Sequence, residues 1–228
     1  MNPAPLERLV HDGSIPGPMG LLLLLAGLTV LPFGVVVLTS FCKVSVVLSL
    51  TRSALGTQGA PPTLVLTGLA AVLSLAIMAP TTEAMLQRGR GAFGRGEPTS
   101  AELLGAVRAM GEPLHAFLRR HGSAELRAEL ASLGGEVRPG VPGTPAGEDA
   151  WAVVIPAFVL TELKAAFQMG FLIFLPFLVV DMVVANVLLA LGMQTLSPSQ
   201  VSLPFKILLF VAVDGWSAIA RGLLLSYR

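Results

Sequence analysis

Of 228 residues, 54% are hydrophobic and 13% charged, and the formal net charge is +1. Soluble domains carry about 25% charged residues, so the low charge and the mean hydropathy of +0.76 place the chain among membrane proteins. Near-neutral charge and the absence of a basic stripe give no reason to expect a nucleic-acid binder, and the single cysteine, Cys42, excludes an intrachain disulfide or a cysteine-rich metal site.

Residues 1–18 form a polar tail rich in Pro and Gly, in which Glu7, Arg8 and Asp12 nearly cancel. It lacks the positive start of a secretory signal, so the apolar run behind it is read as retained. That run, Met19–Leu50, contains Lys43 as its only charge. About 20 residues cross a bilayer core, so this run is too long for one simple span. Pro32 and Gly34 offer a break, and the expectation is a helix near 19–31, a kink and a second helix near 33–54. Residues 51–62 carry two glycines and a Pro-Pro pair and read as a turn. Thr63–Pro80 is free of charge and returns as the second arm of a hairpin.

From Thr81 to Ala150 the composition changes, with eight Arg and nine Asp or Glu. Thr99 and Glu102 make a capping-box pattern. Leu103, Val107, Met110, Leu114, Phe117 and Leu118 then recur at helical spacing. A shorter helix is expected after Ser123, through Leu126, Leu130 and Leu133. These read as soluble amphipathic helices with solvated charged faces, followed by a Gly/Pro linker at 134–149. His115 and His121 are not at the i,i+4 spacing that would bring both to one metal, so neither metal nor cofactor is expected.

Trp151–Leu191 is a second over-long apolar run, expected to bend at Gly170 and Pro176. The last run, Val201–Leu225, carries Lys206 and Asp214. The chain is thus organised as a tail (1–18), an apolar hairpin (19–80), a soluble insert (81–150) and a second apolar hairpin with a loop (151–228). The fold class is all-α. No nucleophile elbow, phosphate loop or zinc-protease helix is present, so no enzymatic activity is expected. A secondary transporter using Glu162, Asp181 and Lys206 as an ion relay is the alternative. Such carriers show internal repeats, and the two halves here do not read alike. Four membrane-level segments put both termini and the insert on one side, but the insert is too long for charge bias to fix which side that is.

Four stretches are recognisable: S-A-L-G-T-Q-G-A-P-P at 53–62, I-M-A-P at 77–80, I-P-A-F-V-L-T-E-L-K-A-A-F-Q-M-G-F at 155–171 and S-L-P-F-K-I-L-L-F-V-A-V-D-G-W at 202–216. In this order they resemble the FliP/SctR (YscR) family of bacterial flagellar and type III secretion export proteins. The resemblance covers roughly 33–88 and 151–228, and the short start is similar to the injectisome branch. It implies five copies of this chain, four of a FliQ/SctS-like protein and one FliR/SctT-like protein in a helical, cone-shaped export gate for unfolded polypeptides. The gate would lie at the bacterial inner membrane, largely above its plane, at the base of a rod or needle. Both termini and the insert would face the periplasm.

The resemblance also implies roles for residues. Family members carry methionines after the glycine of the loop between the last two apolar segments, and these form a gasket. A flexible thioether suits a seal that must adapt to any side chain. Here Gly192 is followed by Met193, Gln194 and Thr195, so a constriction by Met193, Gln194 and Thr195 is expected, with two of the usual methionines replaced. Glu162 and Lys206 match positions of charged contacts between subunits. Lys43, deep in its apolar run, reads as a further buried partner in a subunit contact.

Overall fold

The computed structural model describes Leu25, Thr29 and residues 32–57, 59–92, 100–136, 147–193 and 195–228. The tail, nearly all of the helix expected at 19–31, Thr99 of the capping pattern and most of the 134–149 linker lie outside these residues. Among the described residues all regular structure is helical. Helices satisfy their own backbone hydrogen bonds, which an apolar surrounding demands.

Helix α1 (Pro32–Leu38) meets α2 (Phe41–Leu55) at 77°. The bend falls at Thr39–Ser40, inside the segment expected as one helix near 33–54, while the kink expected at Pro32 lies at the edge of the described residues. The cause of the bend is side-chain competition for backbone groups. The Thr39 hydroxyl donates to Val35 O at 2.5 Å and accepts the Phe41 N–H at 3.2 Å. Ser40, fully buried, hydrogen-bonds Ser74 across the hairpin at 2.9 Å. Helix α2 ends at Gly56, whose left-handed φ of 72° closes the last turn.

Helix α3 (Thr63–Ala92) continues through Pro80, past the expected end of its span. The extension is held by the insert rather than by its own hydrophobicity. Met110 of α4 (Ser100–His121) packs against Gly89, and Arg88 pairs with Glu112. Helix α5 (Ala124–Glu136) follows as the sequence spacing predicts. In α4 the buried stripe runs through Ala106, Phe117 and Leu118, while Val107 is exposed.

Helix α6 (Trp151–Ala190) is one element of 40 residues, about 60 Å at 1.5 Å per residue. It stays one continuous helix through Pro156, Gly170 and Pro176. The last apolar run, expected as one segment, is two helices. These are α7 (Pro198–Ala212) and α8 (Gly215–Leu225), set at 59°. Asp214 makes the elbow with φ 50°. Gly215 is required there, since a Cβ would stand 2.2 Å from the Phe210 ring. Trp216 then meets that ring edge-on at 5.1 Å. The D-G-W stretch is therefore a bend that turns α8 back.

Three clusters form the core. Val44, Val47 and Leu48 of α2 pack on Leu66, Ala70, Leu73 and Ile77 of α3, with Ala166 and Leu223 closing the group. Met78, Phe117, Leu118, Val154 and Phe158 join the insert to α3 and α6. Ala54, Leu55, Phe177 and Phe210 hold α7 against α2 and α6. Helices α2 and α6 approach closely at Gly170, where an added Cβ would lie 2.2 Å from Leu50 Cδ1 and 3.1 Å from Leu50 Cβ. Overpacking of a tight contact costs about 1–3 kcal/mol. Gly170→Ala is expected to lower the thermal midpoint of the detergent-solubilised protein, and Leu50→Ala in the same chain to recover part of the loss.

Candidate functional site

Two buried charge clusters and one loop carry the residues singled out by sequence. In the first cluster Lys43 Nζ lies 3.2 Å from Glu162 Oε1, with side chains only 4% and 3% exposed. The pair joins α2 to the first half of α6. Tyr227, next to the last residue, donates its hydroxyl to Glu162 Oε2. The Lys43 ammonium also stands over the Tyr227 ring, 3.6 Å from its centroid, a favourable cation–π placement. Phe117 stacks on the same ring at 6.0 Å and His121 meets it edge-on at 5.0 Å. Burial, then Arg120 and Lys43 in turn, push the His121 imidazole below its ordinary range. Helices α2, α4 and α6 and the C-terminal residues thus meet at one ion pair.

The second cluster lies toward the other end of α2. Lys206 Nζ of α7 is 2.7 Å from Asp181 Oδ2 of α6 and 3.4 Å from Ala54 O. A cation at the carbonyl end of α2 also complements the helix dipole. Ser202 donates to Asp181 Oδ1 at 2.5 Å. Lys206 is buried, while the Asp181 side chain remains 31% exposed. Two of the recognisable stretches are therefore in contact: the S-A-L-G end of α2 receives the lysine of S-L-P-F-K.

Lys43, Glu162 and Lys206 were expected to meet partners across a subunit boundary, and each has a partner inside the chain. The reason is geometric. The α2–α6 and α6–α7 pairings bring opposite charges within reach before any second chain is added. Sequence reasoning gave Asp181 only to the ion-relay alternative and gave Tyr227 no role. The one available signal for Asp181 was its polarity within an apolar run. Tyr227, an aromatic at the very end, offered none. Lys164 is exposed on α6, and Asp214 forms the elbow; neither joins a cluster.

The loop between α6 and α7 is short and open. The α6 end is closed by Leu191 N–H to Val187 O at 3.0 Å and Met193 N–H to Leu188 O at 2.9 Å, with Gly192 at φ 71°. Met193 is 47% exposed and Thr195 is exposed. Gln194 lies outside the described residues. Met193 and Thr195 thus stand at the tip of a hairpin, with no buried surface to hold them.

A model of the FliP family matches residues 24–223. Hypersensitivity response secretion protein HrcR of Ralstonia nicotianae is 39% identical over 91% of this chain and 96% of its own. Yop proteins translocation protein R of Yersinia pestis is 40% identical over 93% and 98%. Flagellar biosynthetic protein FliP of Cereibacter sphaeroides is 42% identical over 91% of this chain and 66% of its own.

Removing one member of a buried ion pair costs about 3–5 kcal/mol, because the other charge is left uncompensated. Lys43→Met and Glu162→Gln are each expected to cause a loss of that order in detergent-solubilised protein, read as a drop in thermal midpoint. The double variant should regain most of it. Additive losses in the double variant would show that the two side chains do not act as a pair.

Proposed function

The chain belongs to the FliP family, and on that premise we propose that it is a core subunit of a type III export gate. In this reading several copies, five by family analogy, assemble with FliQ/SctS-like and FliR/SctT-like subunits around a passage for unfolded polypeptides. The assembly sits at the bacterial inner membrane below a rod or needle, with the insert in the periplasm. The role is structural, not enzymatic, as is general for the family.

The observation that carries this reading is the apolar surface that one chain leaves uncovered. Phe171, Leu172, Met182 and Val183 on α6, Leu208 and Val211 on α7, and Leu64 and Leu75 on α3 are all more than half exposed. Between α6 and α7, Val183, Val187, Leu191 and Phe205 line an almost wholly apolar groove of about 560 Å³. Soluble monomers rarely leave contiguous apolar patches beyond a few hundred Å². Lipid could cover such faces, but a helix of 40 residues exceeds the span of one bilayer. Neighbouring copies of similar helices cover them over their whole length.

Asp181, paired with the buried Lys206 inside the chain, keeps an open side that leaves room for a charged contact between copies. Lys43 and Glu162 are sealed within the chain, so their part in assembly is to hold α2 and α6 in the shape a neighbour meets. At the hairpin tip, Met193, Gln194 and Thr195 would ring the passage when several copies are placed around an axis. A thioether adapts to passing side chains, and the amide and hydroxyl beside it add hydrogen-bonding capacity.

Gentle detergent extraction of the natively expressed protein tests the assembly. A particle several times the 23.8 kDa chain mass, containing two other small membrane proteins, is expected by light scattering and mass spectrometry. A monomer or dimer alone would favour the carrier alternative. Charge reversal by Lys206→Glu should abolish the large particle, and adding Asp181→Lys should restore part of it.

A further inference from the structure

We propose that the insert contains a carboxylate-binding pocket, and that its occupant is an acidic segment of a neighbouring protein. Helices α4 and α5 and the first turn of α6 surround a cavity of about 650 Å³. Arg108, His115, Arg119, Arg120, Arg127 and Trp151 line it. Glu112 also lines it, but its carboxylate is drawn away by Arg88 on α3.

Two of the lining arginines already hold a carboxylate. Asp149 places Oδ1 3.0 Å from Arg119 Nε and 3.5 Å from Arg127 Nη1. Its backbone carbonyl meets His115 Nε2 at 2.8 Å. One carboxylate is therefore bridged by two guanidinium groups, a charge-assisted geometry that favours carboxylates. It does not exhaust the pocket. Arg127 is only 9% exposed and its Nε has no hydrogen-bond partner. Among the described residues, Arg108 and Arg120 have no ion pair. Four arginines line the pocket, against Glu112, which Arg88 pairs, and the neighbouring Asp149, which two of the four hold, so positive charge is locally in excess in a chain that is otherwise near neutral.

A lipid headgroup is the competing occupant, since basic pockets near apolar helices bind such groups. A lipid also needs an apolar path for its chains. Early in α6, Val153, Val154, Ala157 and Phe158 are buried, Val154 and Phe158 against Phe117 and Leu118 of the insert. Of the lining residues only Trp151 is a large apolar group, and its ring makes an edge contact with His115, 4.8 Å between centroids. A peptide needs no such path, and paired Asp or Glu side chains match guanidinium forks. The site shares no residue with the hairpin loop or with either buried ion pair, so it adds a second binding surface to the chain.

The chain has two tryptophans, so Trp216→Phe leaves Trp151 as the only reporter. The full chain, purified in neutral detergent, is titrated with a peptide of alternating Glu and Ala, and with its Gln/Ala counterpart. A saturable, salt-sensitive change in Trp151 emission is expected with the Glu peptide alone. Arg119→Gln with Arg120→Gln should weaken it by about tenfold or more, the order of one or two lost charge-assisted contacts. Arg90→Gln, outside the pocket, should leave it unchanged. If the double variant elutes as aggregate, the exposed Arg108→Gln serves instead and must weaken binding. Equal affinity in the pocket variants overturns the proposal. So does a response that anionic phosphatidylglycerol micelles produce and the Glu peptide does not.

Discussion

The fold depends on one buried ion pair. Lys43 and Glu162 are 119 positions apart in sequence, and their contact fixes how the first apolar hairpin lies on the long α6. Taking two charges out of water is costly, and their attraction offsets that only with good geometry and further partners. Tyr227 supplies those partners, accepting the ammonium on its ring and donating its hydroxyl to the carboxylate. Phe117 and His121 then brace the ring from the insert. One contact therefore couples α2, α6, the insert and the chain end. Moving any of them strands a charge in an apolar interior. Such a device gives a defined arrangement where apolar packing alone would permit sliding.

Beyond this knot the chain makes little core of its own. Its three clusters follow α2 and the first two-thirds of α6, while the rest of α6 and α7 keep mostly open faces. Lys206, Asp181 and Ser202 keep that outer hairpin registered on α2, so a mostly uncovered element is presented in a set orientation. A subunit that completes its core with neighbours is expected to look like this: rigid where it organises itself, open where it joins others. The hairpin loop lies at the far end of the open region, held by backbone hydrogen bonds and little else. The arginine pocket lies at the opposite end of α6, beside the insert.

Much of this was legible in the sequence. The all-helical class and the two helices of the insert followed from hydropathy and spacing, but the change of composition at Thr81 is not an element boundary, since α3 runs through it to Ala92, and Val107 of the expected stripe faces out. Hydropathy could not place the ends, because ends here are set by packing. Helix α3 continues past Pro80 since α4 receives its charged extension, and α6 passes both prolines without interruption. The break at Thr39–Ser40 falls inside the segment expected as one helix near 33–54, where hydroxyls compete for backbone groups, a choice that propensity does not reveal. The charges were visible as anomalies, but not their partners, which follow from helix pairing over long sequence separations. The D-G-W stretch had no meaning until Phe210 and Gly215 were seen in contact.

The central claim is that the α6–α7 loop lines the passage for exported chains. The most direct test is site-specific crosslinking with Met193→Cys in a chain whose Cys42 is replaced by Ser. An export substrate carrying a folded block at one end would be stalled in the assembled complex, with a cysteine in its unfolded part. A gate subunit predicts crosslinks from position 193 to the stalled substrate, and between neighbouring copies when no substrate is present. Labelling of position 193 by a lipid-soluble reagent, with no crosslink to substrate or to a second copy, would contradict it.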